Sequence, residues 1–232
     1  MTTSELQLQL NNLDASLFNH TPFYCEENVY FLCKKLCSSQ IADAQGSDLF
    51  VVFISNDNKQ IPLWHQKASH RADGVILWDY HVICVQRKKD GGTHLVWDLD
   101  SSLPFPCPLA AMCQKLSGHH FSSFRSFRGE VNFSFLLLMF FRVVYAPLFL
   151  RHFASDRRHM KDSEGNWTAQ PPPYEPIVAE DGSVHNLNEY MEIRAADVLT
   201  DLPPELTSAV FGQKHGVVIG EAHLEELFSQ IP

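Results

Sequence analysis

The sequence predicts a domain that mixes helices with a mainly antiparallel sheet, the α+β variety of an α/β protein. Residues 26–37 carry apolar side chains at the i, i+3, i+4, i+7 spacing of a helix with one buried face. Residues 49–54 form an unbroken apolar run, which is typical of a buried strand. Residues 75–85 and 94–98 are apolar segments joined by a Gly-Gly turn, which predicts an antiparallel hairpin.

The composition suits one folded domain with a large core. The chain has 232 residues, of which 45% are hydrophobic and 17 are Phe. The formal charge of −9 argues against a nucleic-acid partner. It favours a cationic partner such as the α-ammonium of a peptide, although solubility alone accounts for such a charge. We assign residues 1–20 to a loosely ordered N-terminal segment and residues 21–232 to a single catalytic domain.

The six cysteines are expected to be reduced thiols. Residues 1–20 carry no secretory signal, and no two cysteines form a Cys-x-x-Cys pair, so we expect neither disulfides nor a structural zinc site. The expected location is the cytoplasm, with the nucleus as a second compartment. Metal binding is the rival chemistry, with His152 and His159 as example ligands, but no pair of ligands has a recognised zinc spacing.

A long apolar segment at residues 133–150 has the lowest length that a membrane span requires. Arg142 falls near its middle, where a charge costs about 2.5–3.5 kcal/mol on insertion scales. That penalty favours a segment buried in the protein over a transmembrane helix, and we expect no membrane association.

Cys25, His81 and Asp98 are the candidate catalytic residues. Cys25 falls at the predicted helix start, where the partial positive charge of the helix favours a thiolate, although the two following acids oppose ionisation. If Lys88–Gly91 form the hairpin loop, His81 and Asp98 lie directly opposite each other on one face of the sheet. A base that deprotonates a thiol and a carboxylate that orients the base make a nucleophilic triad.

Each of these residues also has a structural explanation. A cysteine at a helix start is commonly a small core residue, and a histidine in an apolar strand is commonly a satisfied core residue. An aspartate near a strand end is commonly a turn or cap residue. Asp79 lies on the predicted face of His81 and is either a pocket acid or a competing partner of that ring. Arg157, Arg158 and Lys161 suit an anion or ion pairs with acids, although a solvated surface is the commoner explanation.

Eight blocks of sequence, in order across residues 23–192, also point to a known family. They are Tyr24–Asn28, Phe53–Asn56, Trp78–Val82, Trp97–Asp100, Leu103–Cys107, Phe153–Arg157, His159–Asp162 and Gly165–Trp167. These blocks closely resemble the protein N-terminal glutamine amidohydrolase family, and the Trp-Asp-Tyr-His-Val block is highly specific to it.

The resemblance implies an enzyme that hydrolyses the side-chain amide of an N-terminal Gln to Glu, with release of ammonia through a thioester. It implies a monomeric papain-like or transglutaminase-like fold with the nucleophile on a helix, and no cofactor. It also implies a place in the N-degron pathway, where the new N-terminal Glu is arginylated and the protein is degraded. The family triad carries over to Cys25, His81 and Asp98. Compared with the family pattern, residues 129–141 are an apolar insert.

Selectivity for a chain terminus requires a group that binds the α-ammonium. We take Glu26 and Asp79 as candidates by charge, and Tyr24 beside the nucleophile as a third substrate-binding residue; the acids equally suit a solvated or structural role. Two other interpretations stay open. One is a cysteine peptidase or transglutaminase that uses the same triad, and the other is a non-catalytic module that captures N-terminal Gln.

Overall fold

A seven-stranded sheet forms the centre of the fold, in a computed structural model that describes residues 14–72, 74–88, 92–118 and 138–231. The strands are β1 (Leu49–Ser55), β2 (Ile61–Leu63), β3 (Ile76–Trp78), β4 (His81–Gln86), β5 (Leu95–Trp97), β6 (Cys107–Pro108), β7 (Phe140–Tyr145), β8 (Val198–Leu199) and β9 (Val217–Gly220). The helices are α1 (Cys25–Ser38), α2 (Leu109–Gly118), α3 (Ala146–His152), α4 (Leu187–Met191), α5 (Glu205–Gly212) and α6 (Leu224–Gln230).

The strand order in the large sheet is β6-β5-β4-β1-β7-β9-β8. Every neighbouring pair is antiparallel except β8 and β9, which are parallel. Strands β2 and β3 form a separate antiparallel pair. The predicted mixed α/β class with a mostly antiparallel sheet is therefore confirmed.

Helices cover both faces of the large sheet. Val51 and Phe53 of β1 join the core under α1, α3 and α4, whereas Phe50 and Val52 join the core under α2, α5 and α6. Side chains along a strand alternate between faces, so a central strand covered on both sides must be apolar at every position. This arrangement explains the unbroken apolar run that identified β1.

The predicted strand over residues 75–85 is wrong, because it is two strands that belong to different sheets. The break falls at Asp79, whose carbonyl accepts a hydrogen bond from Ser55 Oγ (2.7 Å) and whose carboxylate accepts one from the Tyr80 N–H (2.9 Å). Asp79 is consequently exposed while His81 is fully buried, so the two residues do not share one strand face.

The predicted register of the hairpin is also wrong. It would place Cys84 opposite Leu95, whereas Cys84 pairs with Trp97, a shift of two residues. The connection is longer than a four-residue loop, and within it the Lys88 N–H donates to Nδ1 of His94 (3.2 Å). Because side chains alternate with a period of two, an even shift leaves each residue on its predicted face.

The described part of the apolar segment, residues 138–150, forms strand β7 and most of helix α3. Strand β7 lies between β1 and β9, and the Arg142 guanidinium donates to the carbonyls of His215 (3.1 Å) and Glu192 (2.9 Å). Across the described ranges, none of the helices has the length and apolarity that crossing a bilayer requires. Phe140 and Phe141, the end of the predicted insert, open β7, whereas residues 129–137 of that insert and residues 1–13 lie outside the described residues.

Candidate active site

Cys25 is the first residue of α1 and is 5% exposed. Asn28, one turn later, folds its side chain back onto Thr21, accepting from its N–H and donating to its carbonyl, both at 2.8 Å. Tyr24 is fully buried, and its hydroxyl donates to the carbonyl of Ala169 (3.2 Å). These bonds fix the chain that enters α1, and they fix the thiol with it.

His81 opens β4, and its ring is fully buried. Its Nε2 lies 3.1 Å from Oδ1 of Asp98, and the ring stacks on Trp78 with centroids 5.7 Å apart. The other ring nitrogen, Nδ1, is buried and has no hydrogen-bond partner. A histidine held at one nitrogen by a carboxylate, with its second nitrogen free, is suited to accept a proton.

The thiol of Cys25 sits beside the first residues of β4. Its Sγ interacts with the backbone of Val82, the residue after His81, and donates a hydrogen bond to Oε2 of Glu26 (3.7 Å). Among the described contacts, no hydrogen bond joins Cys25 to His81. The structure therefore brings His81 and Asp98 together and places the sulfur against the backbone of Val82, with its hydrogen bond to Glu26.

The electrostatic environment keeps the thiol neutral and favours charge on the imidazole. Burial raises the pKa of Cys25 well above its ordinary value, and the carboxylates of Glu26 and Asp100 add to that effect. Burial also opposes charge on His81, but Asp98 and then Asp100 outweigh it and raise the pKa of the ring. The free protein thus carries a protonated thiol beside a base that is stabilised in its cationic form.

Asp100 is a member of the site that the sequence did not indicate. It is buried, its Oδ1 lies 2.7 Å from Nε2 of His20, and its N–H donates to Oδ1 of Asp98 (3.0 Å). Burial alone would raise its pKa, but the contact with His20 and the charge of His81 lower it. One feature of the sequence could have indicated Asp100: it ends the Trp97–Asp100 block and follows Asp98 by two residues.

The three predicted substrate-binding residues have different environments. Glu26 is fully buried, accepts the hydroxyl of Tyr80 (2.8 Å) on Oε2, and leaves Oε1 buried without a hydrogen-bond partner. Asp79 is exposed beside the start of β4. Tyr24 is buried next to both acids of α1, and burial raises its pKa. Asp79 is therefore open to a ligand, whereas Glu26 and Tyr24 line the interior.

A buried ion pair lies beside the start of α1. Arg157 donates to both carboxylate oxygens of Glu27 at 2.8 Å, and their side chains are 9% and 0% exposed. The same guanidinium donates to the carbonyl of Tyr174 (3.0 Å) and lies 5.3 Å from the centre of its ring. The pair ties α1 to the proline-rich loop around Tyr174, and it explains the Arg157 that the sequence left as an anion-binding candidate.

The site also contains a group of side chains with metal-binding donor types. His81, Asp98 and Asp100 each offer a donor atom within 4.8 Å of the others, the one such group in the part of the chain that the structure describes. The sequence candidates His152 and His159 are elsewhere: His152 lies 4.0 Å from Asp181, and Nδ1 of His159 contacts the carbonyl of Asp156 at 2.7 Å.

A thiol at a buried helix start, beside a histidine held by a carboxylate, is an arrangement typical of cysteine hydrolases. Comparison with known proteins gives the family. A model of the family "N-terminal glutamine amidase" matches residues 20–228, so the chain belongs to that family.

Curated relatives agree with this assignment. The chain is 58% identical over 221 residues to a protein N-terminal glutamine amidohydrolase of Arabidopsis thaliana, covering 95% of this chain and 96% of the relative. It is 54% identical to the protein of that name in Oryza sativa subsp. indica, covering 95% of this chain and 91% of the relative. It is 38% identical to the Homo sapiens protein of that name, covering 73% of this chain and 76% of the relative.

Proposed function

We propose that this chain hydrolyses the side-chain amide of an N-terminal Gln in proteins or peptides, giving N-terminal Glu and ammonia. The observation that carries the proposal is the hydrogen-bonded pair of buried His81 and partly buried Asp98 near Cys25, in a chain that belongs to the N-terminal glutamine amidase family. Family membership supports the substrate, and the pair supports nucleophilic catalysis by the thiol.

The first step is attack by Cys25 on the glutamine δ-carbonyl. The thiol turns from Glu26 about its χ1 torsion, and Nδ1 of His81, the ring nitrogen that has no other partner, takes its proton. The sulfur forms a bond to the carbonyl carbon, and negative charge develops on the oxygen. The backbone N–H of Cys25, free of an intrahelical partner at the start of α1, is the donor we assign to that oxygen.

The tetrahedral intermediate then loses ammonia. His81 returns its proton to the amide nitrogen, the C–N bond breaks, and a γ-glutamyl thioester remains on Cys25. A water molecule gives its proton to the same imidazole and attacks the thioester, which releases Glu and regenerates the thiol. Asp98 holds the imidazole through Nε2 and stabilises its cationic form. The reaction requires no cofactor.

Selection of a chain terminus rests on carboxylates near the thiol. Asp79 is the exposed acid at the start of β4, and an α-ammonium that pairs with it would lie close to the site. Glu26 offers its free Oε1 from the interior, and Tyr24 forms part of the wall beside it. We assign terminus recognition to these three side chains.

Replacement of Asp79 tests this assignment. Asp79→Asn keeps the size of the side chain and its hydrogen bond to Tyr80, but removes the charge. We expect a higher KM for a Gln-initiated peptide with little change in kcat, because ground-state binding is lost. Asp181→Asn is the matched control, since Asp181 is exposed and accepts a backbone N–H (2.9 Å) from Ser183. An Asp79→Asn enzyme with the KM of the control would remove Asp79 from this role.

We place the reaction in the N-degron pathway, in the cytoplasm and nucleus, with the chain acting as a monomer. The partners are polypeptides that begin with Gln, without nucleic acid or a membrane. Hydrolysis gives a terminal carboxylate side chain, and the step that consumes this product is arginylation of the new N-terminal Glu.

Ammonia release from synthetic peptides tests the proposed function. The wild-type protein should release ammonia from a Gln-initiated peptide and none from its N-acetylated form, without cleaving the backbone or incorporating an amine. Cys25→Ser should lower kcat by on the order of 10⁴-fold or more, as loss of a nucleophile does. Backbone cleavage would favour a peptidase, and amine incorporation a transglutaminase. A wild-type protein that binds Gln peptides without turnover, with affinity unchanged in Cys25→Ala, would be a binding module.

A further inference from the structure

Glu26 is a buried acid in direct contact with the nucleophile. Its Oε2 accepts two hydrogen bonds, from the Tyr80 hydroxyl at 2.8 Å and from Cys25 Sγ at 3.7 Å. Its Oε1 is buried and has no hydrogen-bond partner. A buried oxygen without a donor is unfavourable, particularly on a charged carboxylate, so this atom is placed to receive a proton or a cation.

Burial makes ionisation of both side chains more difficult. Nearby carboxylates add to this effect at Cys25, whereas the hydrogen bonds from Tyr80 and Cys25 favour the charged form of Glu26. Arg157 is a buried cation beside the start of α1, and it is paired with both carboxylate oxygens of Glu27. The titratable groups that interact with Cys25 or Glu26 from the elements around them are Tyr24, Glu27, Asp79, Tyr80, Asp100 and Tyr174, and His81 precedes Val82, whose backbone contacts the Cys25 thiol. Burial raises the pKa of Glu26 to about 7 and that of Cys25 well above its ordinary value.

We propose that Glu26 is a positioning residue that keeps the Cys25 thiol protonated and bonded away from His81 until the substrate's α-ammonium occupies Oε1. This inference rests on the proposed function, because it needs a substrate that carries a free terminus. The ammonium cancels the charge of the Glu26 carboxylate, and a carboxyl that still carries its proton releases it to solvent. The thiol proton then passes to Nδ1 of His81, so binding of the terminus prepares the nucleophile.

The proposal connects terminus selection with activation of the nucleophile. An acetylated terminus carries no cation, so it leaves the Glu26–Cys25 hydrogen bond in place and the thiol protonated. A free terminus supplies a positive charge within the cluster, and an opposite charge nearby favours the thiolate. Glu26 thereby acts on kcat as well as on KM, whereas an acid that only holds the substrate acts on KM.

Titration of the Cys25 thiolate in the free protein tests the first part. The signal is the ultraviolet absorbance of the thiolate, taken as the difference between a protein and the same protein carrying Cys25→Ala. Glu26→Gln keeps an acceptor for Tyr80 and removes the charge, so we expect its thiolate midpoint to fall by about one pH unit or more. Asp181→Asn, which removes an exposed carboxylate elsewhere, should leave the midpoint unchanged. An unchanged midpoint in a folded Glu26→Gln protein would overturn the proposal.

A second measurement uses the wild-type protein and does not depend on the folding of a variant. A norleucine-initiated peptide presents an α-ammonium without an amide to hydrolyse. At saturating concentration and neutral pH, where its terminus is charged, it should increase the thiolate absorbance of Cys25, and its N-acetylated form should not. Equal absorbances with the two peptides would contradict the proposed trigger. Ammonia release from a Gln-initiated peptide is measured in parallel, so absence of deamidation is distinguished from absence of the trigger.

Discussion

His81 lies close to two carboxylates, those of Asp98 and Asp100, which affect the ring in different ways. Asp98 contacts Nε2 directly, whereas Asp100 acts through its charge and through its N–H bond to Asp98. Both acids raise the pKa of the ring against the opposing effect of burial. In the proposed mechanism the thiol transfers its proton to a neutral imidazole, so we expect these acids to set the lowest pH at which the free enzyme works.

Replacement of Asp100 should extend activity to lower pH. Asp100→Asn keeps the backbone bond to Asp98 and removes a negative charge that stabilises protonated His81. The pKa of His81 then falls, so the neutral base persists to lower pH and the acidic limb of kcat/KM moves in that direction. The pH profile of ammonia release measures this shift, and an acidic limb that stays in place would exclude the charge of Asp100 as a cause.

Glu26 should make stability depend on pH. Its pKa is about 7 in the folded protein against an ordinary value of 4.5, so the folded state holds more protons than the unfolded state between those values. The free energy of unfolding must therefore fall as the pH rises through this window. Glu26→Gln removes the effect. The free energy of unfolding of this variant, taken relative to that of the wild type, should therefore rise by on the order of 3 kcal/mol as the pH increases across the window.

Urea denaturation of the two proteins at a series of pH values measures this difference. Glu164→Gln provides the control, because Glu164 is exposed and its replacement should leave the pH dependence of the wild type unchanged. A difference between Glu26→Gln and wild type that stays constant with pH would contradict an interior Glu26.

At the scale of elements, α1 is joined to the proline-rich loop by one buried ion pair. Glu27 and Arg157 are separated by 130 positions in sequence and meet at 2.8 Å. Removing one partner leaves an uncompensated buried charge, which costs about 3–5 kcal/mol, whereas removing both leaves none. We expect Glu27→Gln and Arg157→Met each to lower the free energy of unfolding strongly. The double variant should lower it by less than the sum of the two single effects.

The neighbouring pair supplies a matched control. Arg158 donates to Asp156 at 2.6 Å, but its side chain is 67% exposed, so Arg158→Met should destabilise the protein far less than Arg157→Met. Thermal or urea denaturation of the four variants gives the comparison. Additive losses at Glu27 and Arg157, or a loss at Arg158 of the same size, would contradict the role of burial.

The elements themselves show what local sequence can predict. Helix α1 begins within one residue of its prediction, because its apolar spacing and acidic first turn are local features. The break between β3 and β4 was missed, since it depends on Ser55, a residue of a different strand, bonding to Asp79. The hairpin register was missed because its connection was assumed to be short. The shift is of an even number of residues, so each side chain still lies on its predicted face of the sheet.

At the scale of the whole molecule, the candidate site depends on contacts between distant segments. Cys25 comes from the start of α1, His81 from the start of β4 and Asp98 from the end of β5, so the sheet and the helix layer on one of its faces position all three. The sequence predicted these residues through the resemblance and the hairpin. It could not predict the contact of His20 with Asp100, because that contact depends on the tertiary packing of segments 80 positions apart.

The central prediction of the proposed mechanism is that the side-chain carbonyl carbon of an N-terminal Gln becomes bonded to the sulfur of Cys25. The most direct test is mass spectrometry of the wild-type protein, acid-quenched during turnover of a Gln-initiated peptide. We predict a thioester adduct on the Cys25 fragment with the mass of the peptide less ammonia. The partly exposed Cys37 should stay unmodified in the same digest. Turnover without that adduct, together with undiminished ammonia release by Cys25→Ala, would contradict the account.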